Sequence, residues 1–210
     1  MISVPFFQVD AFADQPFKGN PAAVCLLSNW PADALLLAIA QENNLPETAF
    51  VVRDQAGAII RWFTPQKEVD LCGHATLAAA HVLYHHQGFQ DARLTFQTRM
   101  VGALMVTRTG EKSYMLDFPA RPAKALPQIP EDLLAALKAP SPQALLMNIR
   151  DYLLIYNNEA EIRAIAPDFQ ALRHFPKWVC VSAPGNDCDF VSRFFTPGDG
   201  YDEDPVTGST

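Results

Sequence analysis

Three stretches of the chain hold residue types that can move a proton or grip an anion. The first is Leu71-Cys72-Gly73-His74-Ala75-Thr76, where a loop runs into a helix. Gly73 allows close backbone approach and unusual dihedrals. The first helical turn leaves N–H groups without intrahelical partners, and with the helix dipole these favour a carboxylate. The His74 ring stands where it can donate to such an anion or move a proton near neutral pH. An ordinary helix cap explains the same residues equally well. The second is Glu47, in Leu45-Pro46-Glu47-Thr48-Ala49-Phe50. It is a general base if buried and a solvated turn residue if not. The third is the acidic end, Asp199, Asp202, Glu203 and Asp204, ahead of Pro205-Val206-Thr207-Gly208. Acidic loops are usually solvated surface, but this one precedes a second Gly turn.

Other constellations carry less. His81 and His85 have the i, i+4 spacing of helical metal ligands, but no third ligand is evident and H-E-x-x-H is absent. A structural or exposed role is expected for them, and no metal site. The chain has no G-x-G-x-x-G, Walker A or G-x-S-x-G motif, which argues against the common nucleotide enzymes and serine hydrolases.

The elements that must position these residues are short strands and few helices. Strands are expected at Ser3–Asp10, Pro21–Leu27, Thr48–Arg53, Ala58–Thr64, Leu94–Gln97, Ala103–Thr107 and Ser113–Phe118. Asp54–Gly57 reads as a turn and Pro65–Leu71 as a loop. Helices are expected at Pro31–Asn43 and Ala75–Gln87; the second is apolar nearly all round at its start, the mark of an enclosed helix. Pro119–Pro130 holds four prolines and reads as a linker between domains 1–117 and 118–210. Beyond it come a helix at Glu131–Lys138, strands at Ala144–Met147 and Tyr152–Tyr156, and a helical stretch Glu159–His174 interrupted by Pro167. Strands at Lys177–Ser182 and Asp189–Thr196 follow.

The second half repeats the first. Arg61-Trp62-Phe63-Thr64-Pro65 matches Arg193-Phe194-Phe195-Thr196-Pro197, with Pro65 and Pro197 standing 132 residues apart. The Gly turns at Gly73 and Gly208 stand 135 apart, so the second loop carries three extra residues. Duplication implies two similar domains, with the cleft between them as the natural ligand site.

Taken together, these residues resemble the PhzF, or phenazine-biosynthesis-like, family of the diaminopimelate epimerase-like fold. The resemblance rests on Gln8–Phe12, Phe17–Val24, Pro46–Phe50, Arg61–Pro65, Asp70–Thr76 and Glu203–Ser209, in that order. It implies an α+β fold of two duplicated domains, each a mostly antiparallel, barrel-like sheet around a central helix. It implies an isomerase that moves a proton within a small carboxylate substrate, with no metal or organic cofactor. By the same resemblance Glu47 is the proton-shuttling acid/base, and His74 and Asp204 flank the substrate and help bind or protonate it. Backbone N–H groups at Cys72-Gly73 and Gly208-Ser209 hold carboxylate oxygens. A cytoplasmic homodimer is expected.

Two departures stand out. Pro46 replaces a frequent Ser, which affects the choice of substrate. The chain also stops at Thr210, before the second domain's central helix, so a non-catalytic truncated paralogue is the competing expectation. A two-cysteine racemase is disfavoured, because Thr207 is the repeat partner of Cys72 and cannot form a thiolate.

Length and composition set the outer bounds. The 210 residues suit one domain or two small ones, and 49% hydrophobic content excludes a disordered chain. A net charge of −7 without a Lys/Arg cluster argues against nucleic acid. No apolar run is long enough for a membrane span, and the first residues show no signal-peptide pattern. Four cysteines without a C-x-x-C pair are expected as free thiols.

Overall fold

A computed structural model of the chain describes residues 3–15, 17–53, 57–198 and 201–208. Two compact units emerge, Met1–Pro119 and Ala120–Gly208. The first holds strands β1 (Phe6–Ala11), β2 (Asn20–Leu27), β3 (Glu47–Arg53), β4 (Ala58–Phe63), β5 (Glu68–Val69), β6 (Arg93–Thr98), β7 (Ala103–Arg108) and β8 (Tyr114–Asp117). Helix α1 (Asp33–Asn43) lies between β2 and β3, and α2 (Gly73–His86) between β5 and β6. The sheet runs β1-β2-β3-β4-β6-β7-β8, with β5 hydrogen-bonded to β4. Among the described residues of this sheet, β2–β3 and β4–β6 pair in parallel and the other pairs are antiparallel. A parallel pair needs a crossover connection, and the two helices supply it.

Side-chain alternation divides this sheet into two apolar faces. Ala22, Val24, Ala49, Val51, Ile60 and Trp62 pack with α2 residues Ala75, Ala78, Ala79, Val82 and Leu83. Cys25, Phe50 and Phe63 point the other way and pack with Leu36 and Ala40 of α1. Helix α2 touches β1, β2, β3 and β8, so both edges of the sheet curl to reach it. Its run of alanines gives the strands room to come close. Glu47 has the parity of Ala49 and Val51 and therefore belongs to the α2 face.

The second unit contains β9 (Lys124–Ala125), α3 (Glu131–Leu137), β10 (Ala144–Met147), β11 (Asp151–Ile155), α4 (Glu159–Ala164), α5 (Phe169–Leu172), β12 (Trp178–Ala183), β13 (Val191–Phe195) and β14 (Glu203–Asp204). Its sheet runs β14-β13-β12-β11-β10-β9. Leu133, Leu137, Leu154, Tyr156, Ile162, Leu172, Val181 and Phe195 share its core.

The duplication is written in the hydrogen bonds. Strands β1 to β5 pair successively as antiparallel, parallel, antiparallel and antiparallel. Strands β10 to β14 follow the same sequence. Arg61 forks onto Glu68, Nε to Oε1 and Nη2 to Oε2, both at 2.7 Å. Arg193 forks onto Glu203 at 2.7 and 2.8 Å with the same atoms. The Thr64 amide donates to the carbonyl of Lys67, and the Thr196 amide to that of Asp202, so both loops close alike.

Several sequence expectations need correction. Helix α2 begins at Gly73, because Gly and His at its start hid two helical residues from the apolar pattern. The loop before it contains β5. The proline-rich stretch is not only a linker: β9 pairs antiparallel with β10 and is an edge strand of the second sheet, flanked by prolines. Pro167 does interrupt the helical stretch; α5 restarts with Asp168 as its cap, accepting from the Ala171 amide. The expected turn at Asp54–Gly57 lies mostly outside the described residues.

Candidate active site

Register and helix placement bring three of the expected residues together. Glu47 opens β3 and pairs with Ala22 of β2. His74 is the second residue of α2, and Cys72 is its N-cap. All three are buried, at 7%, 8% and 7% exposure. One donor atom from each lies within 4.8 Å of the other two. His74 Nε2 stands 3.3 Å from Glu47 Oε2, and His74 Nδ1 stands 3.5 Å from Cys72 Sγ.

The His74 ring also hydrogen-bonds the backbone of Pro21. Nε2 makes no hydrogen bond among the described residues, so we assign that bond to Nδ1, which also lies 3.5 Å from Cys72 Sγ. A bond to a carbonyl puts the proton on Nδ1 and leaves a lone pair on Nε2, facing Glu47. Burial pushes the His74 pKa down to about 4, the Pro21 bond opposing. By itself His74 is therefore neutral at pH 7, and the expectation that it titrates near neutrality gives way to a neutral acceptor.

The helix start is open to an anion. Cys72 gives no side-chain cap. The Thr76 hydroxyl and amide both bond the Cys72 carbonyl, at 2.6 and 3.2 Å, which anchors the first turn. The amides of Gly73, His74 and Ala75 precede the first intrahelical bond and carry the dipole's positive end. Gly73 itself is helical, so the unusual dihedral expected of it is not used. A methyl group there would meet only Phe118, at 3.7 Å.

Asp204 and Gly208 belong to the second unit. Asp204 ends β14 opposite Phe194, and the Thr207 hydroxyl donates to its Oδ2. In the first sheet the corresponding pair is Trp62 and Val69, so Asp204 stands at a repeat position occupied there by an apolar residue. Ser209 and Asp199 lie outside the described residues. His81 and His85 share one partner: each places a ring nitrogen 3.0 Å from the Tyr114 hydroxyl. Burial, then the neighbouring histidines, push His81 down to about 4.

Two site features escaped the sequence reading. Asn20 is fully buried at the head of β2. It stands two residues before Ala22, the partner of Glu47, and so on the same face. A polar residue between Gly19 and Pro21, just ahead of an apolar strand, was the available signal. The Pro21 carbonyl left no signal, because a backbone acceptor has no side chain to read.

A sheet curled round an apolar helix, with an imidazole and a carboxylate at that helix's start, defines the epimerase-like class of folds. A Pseudomonas aeruginosa protein described as a predicted epimerase has this fold, with a TM-score of 0.66 at 20% identity over 96% of this chain and 76% of that one. Within the class, residues 9–210 match the phenazine biosynthesis-like protein family, PhzC-PhzF. A crystal structure of a PhzF-family phenazine biosynthesis protein from Enterococcus faecalis superposes with a TM-score of 0.88 at 43% identity, covering 99% of this chain and 79% of that one. An uncharacterized isomerase of Pseudomonas aeruginosa is 50% identical over 209 residues, 99% of this chain and 79% of its own length. The chain belongs to the phenazine biosynthesis-like, or PhzF, family.

Proposed function

We propose that the chain is an isomerase that relocates a proton within a small, carboxylate-bearing substrate, using Glu47 as general acid and base and needing no metal or organic cofactor. The observation that carries this reading is the Glu47–His74 contact at 3.3 Å, buried and set at the uncapped start of α2. Removing a proton beside an unsaturated or carboxylate-bearing carbon builds negative charge. Preorganised amides at a helix start are suited to stabilise it. A buried carboxylate can hold the abstracted proton and return it to another atom, because few waters compete for it. Neutral His74 can accept a hydrogen bond at Nε2 from a substrate N–H or O–H, which orients the reacting carbon over Glu47.

In this reading Asp204, Gly208 and Ser209 bind substrate, as do Cys72 and Gly73 at the start of α2. The name of the Pseudomonas aeruginosa relative as an isomerase supports the reaction class. The four cysteines are free thiols, in keeping with a reducing, cytoplasmic setting, and the reading includes a homodimer. The test is solvent deuterium incorporation into unsaturated and amino-carboxylate substrates, followed by NMR. Wild type is expected to exchange one carbon-bound position. Equal exchange by Glu47→Gln would remove Glu47 from the mechanism.

A further inference from the structure

Glu47, Cys72 and His74 are also a mixed oxygen, sulfur and nitrogen donor set. Zinc takes such donors at about 2.0–2.3 Å, in three-ligand sites that keep a fourth position open. Tetrahedral donors at those distances stand about 3.3–3.8 Å from one another. The Nε2–Oε2 separation is already 3.3 Å. No separation within the donor set exceeds 4.8 Å. Cys72 Sγ stands 3.5 Å from Nδ1 of the same ring, and a side-chain torsion at the N-cap turns it toward Nε2 and Oε2.

A second observation points the same way. Histidines that bind metals nearly always donate their other ring N–H to a carbonyl or carboxylate, which fixes tautomer and orientation. His74 has that arrangement: its Nδ1 side bonds the Pro21 backbone and its Nε2 makes no hydrogen bond among the described residues. Charge is balanced as well. A divalent cation with one thiolate and one carboxylate is neutral overall, which removes the main cost of burying an ion.

We infer that Glu47, Cys72 and His74 form a binding site for a borderline-soft divalent cation, Zn2+ above all, and that its occupation withdraws Glu47 from proton transfer. Binding forms Zn–S, Zn–O and Zn–N bonds. The thiol proton, and any proton held by Glu47, pass to the buffer. The metal site stands on the donors alone; the loss of activity rests on the proposed role of Glu47.

The test uses Co2+ as a spectroscopic stand-in for Zn2+ on the full 210-residue chain. Wild type is expected to show a thiolate-to-cobalt charge-transfer band and the visible bands of a four-coordinate ion, both abolished by Zn2+. Cys72→Ser should lose the charge-transfer band and bind Zn2+ more than about tenfold more weakly. Cys188→Ser, which removes an exposed thiol, should keep both properties. His74→Gln should weaken Zn2+ binding while circular dichroism reports an intact fold. Absence of the band in wild type, or its persistence in Cys72→Ser, overturns the site. If the band is present, Zn2+ should abolish deuterium exchange with the midpoint at which it displaces Co2+. Undiminished exchange at saturating Zn2+ overturns the inhibitory role. A protein that binds Co2+ through Cys72 but never exchanges deuterium keeps the metal site and loses the isomerase reading.

Discussion

His74 presents Nε2 to Glu47 Oε2 at 3.3 Å, and each side chain is only 9% exposed. Nothing local in the chain joins them, since one opens a strand and the other a helix. They meet because Glu47 shares the strand parity of Ala49 and Val51, which face α2, while His74 lies in the first turn of α2. The Pro21 backbone then orients the ring from its other side.

The burial of His74 carries a pH signature. Its folded pKa is about 4, against about 6.5 in the unfolded chain. Between those values the unfolded chain binds a proton that the folded chain does not. Stability is therefore lost as pH falls from about 6.5 toward 4, by up to about 3 kcal/mol, and no further below that. His81, also depressed to about 4, acts in the same direction over the same window. Urea unfolding at pH 7 and pH 4.5 measures the sum. His74→Gln should reduce the loss and leave the His81 part, and an unchanged loss would contradict the neutral assignment of His74.

Glu47→Gln preserves shape and removes the base. Deuterium incorporation should fall by about 10²–10⁴, the usual worth of a positioned acid/base group, with unfolding free energy nearly unchanged. Asp204→Asn should raise KM more than it lowers kcat if Asp204 binds substrate instead of exchanging the proton. A wild-type KM in Asp204→Asn would remove it from the binding set.

The Arg–Glu forks separate buried from surface ion pairs. The Arg61 side chain is 9% exposed and its partner Glu68 18%. The guanidinium also lies 5.1 Å from the Phe63 ring centroid. Arg61→Met should cost about 1–2 kcal/mol, because the largely buried Glu68 carboxylate loses its fork and keeps only the exposed Arg99 at 3.2 Å. Arg173 and Asp202, 57% and 46% exposed, also make an ion pair, but a double-mutant cycle there should give less than about 0.5 kcal/mol. A cost for Arg61→Met no larger than the Arg173–Asp202 coupling would show that burial does not set the strength of these pairs.

Much of this fold was legible because its signals are local. Short apolar runs bounded by turn residues marked β2, β3 and β4, and the all-round apolar helix announced the enclosure of α2. The repeated Arg-x-Phe-Thr-Pro segment marked Arg61 and Arg193 as equivalent, but not the carboxylates they fork onto. Glu47 and His74 were legible by family resemblance, but their contact was not. It depends on sheet register and on the face alternation, which single residues do not encode. The tautomer of His74 was hidden for a deeper reason, since it is set by a backbone carbonyl. Strand β9 was missed because two residues between prolines carry no periodicity; its pairing comes from the neighbouring β10.

Gly19 tests whether that carbonyl matters. It has φ +78°, and a Cβ there would lie 2.1 Å from the Ala11 carbonyl oxygen, far inside contact distance. Gly19→Ala must therefore both strain the backbone and push β1 from the head of β2, a cost of about 1–3 kcal/mol. The displaced residues include Asn20 and Pro21, and Pro21 holds the His74 ring. The variant should thus shift the His74 proton resonances and weaken Co2+ binding, although it touches neither Glu47 nor Cys72. Gly88→Ala serves as the control: it also has a positive φ, +66°, but no atom lies within 4 Å of its added Cβ. It should cost stability by backbone strain alone and leave the His74 resonances in place. If both variants destabilise equally and neither moves His74, the head of β2 does not position the imidazole.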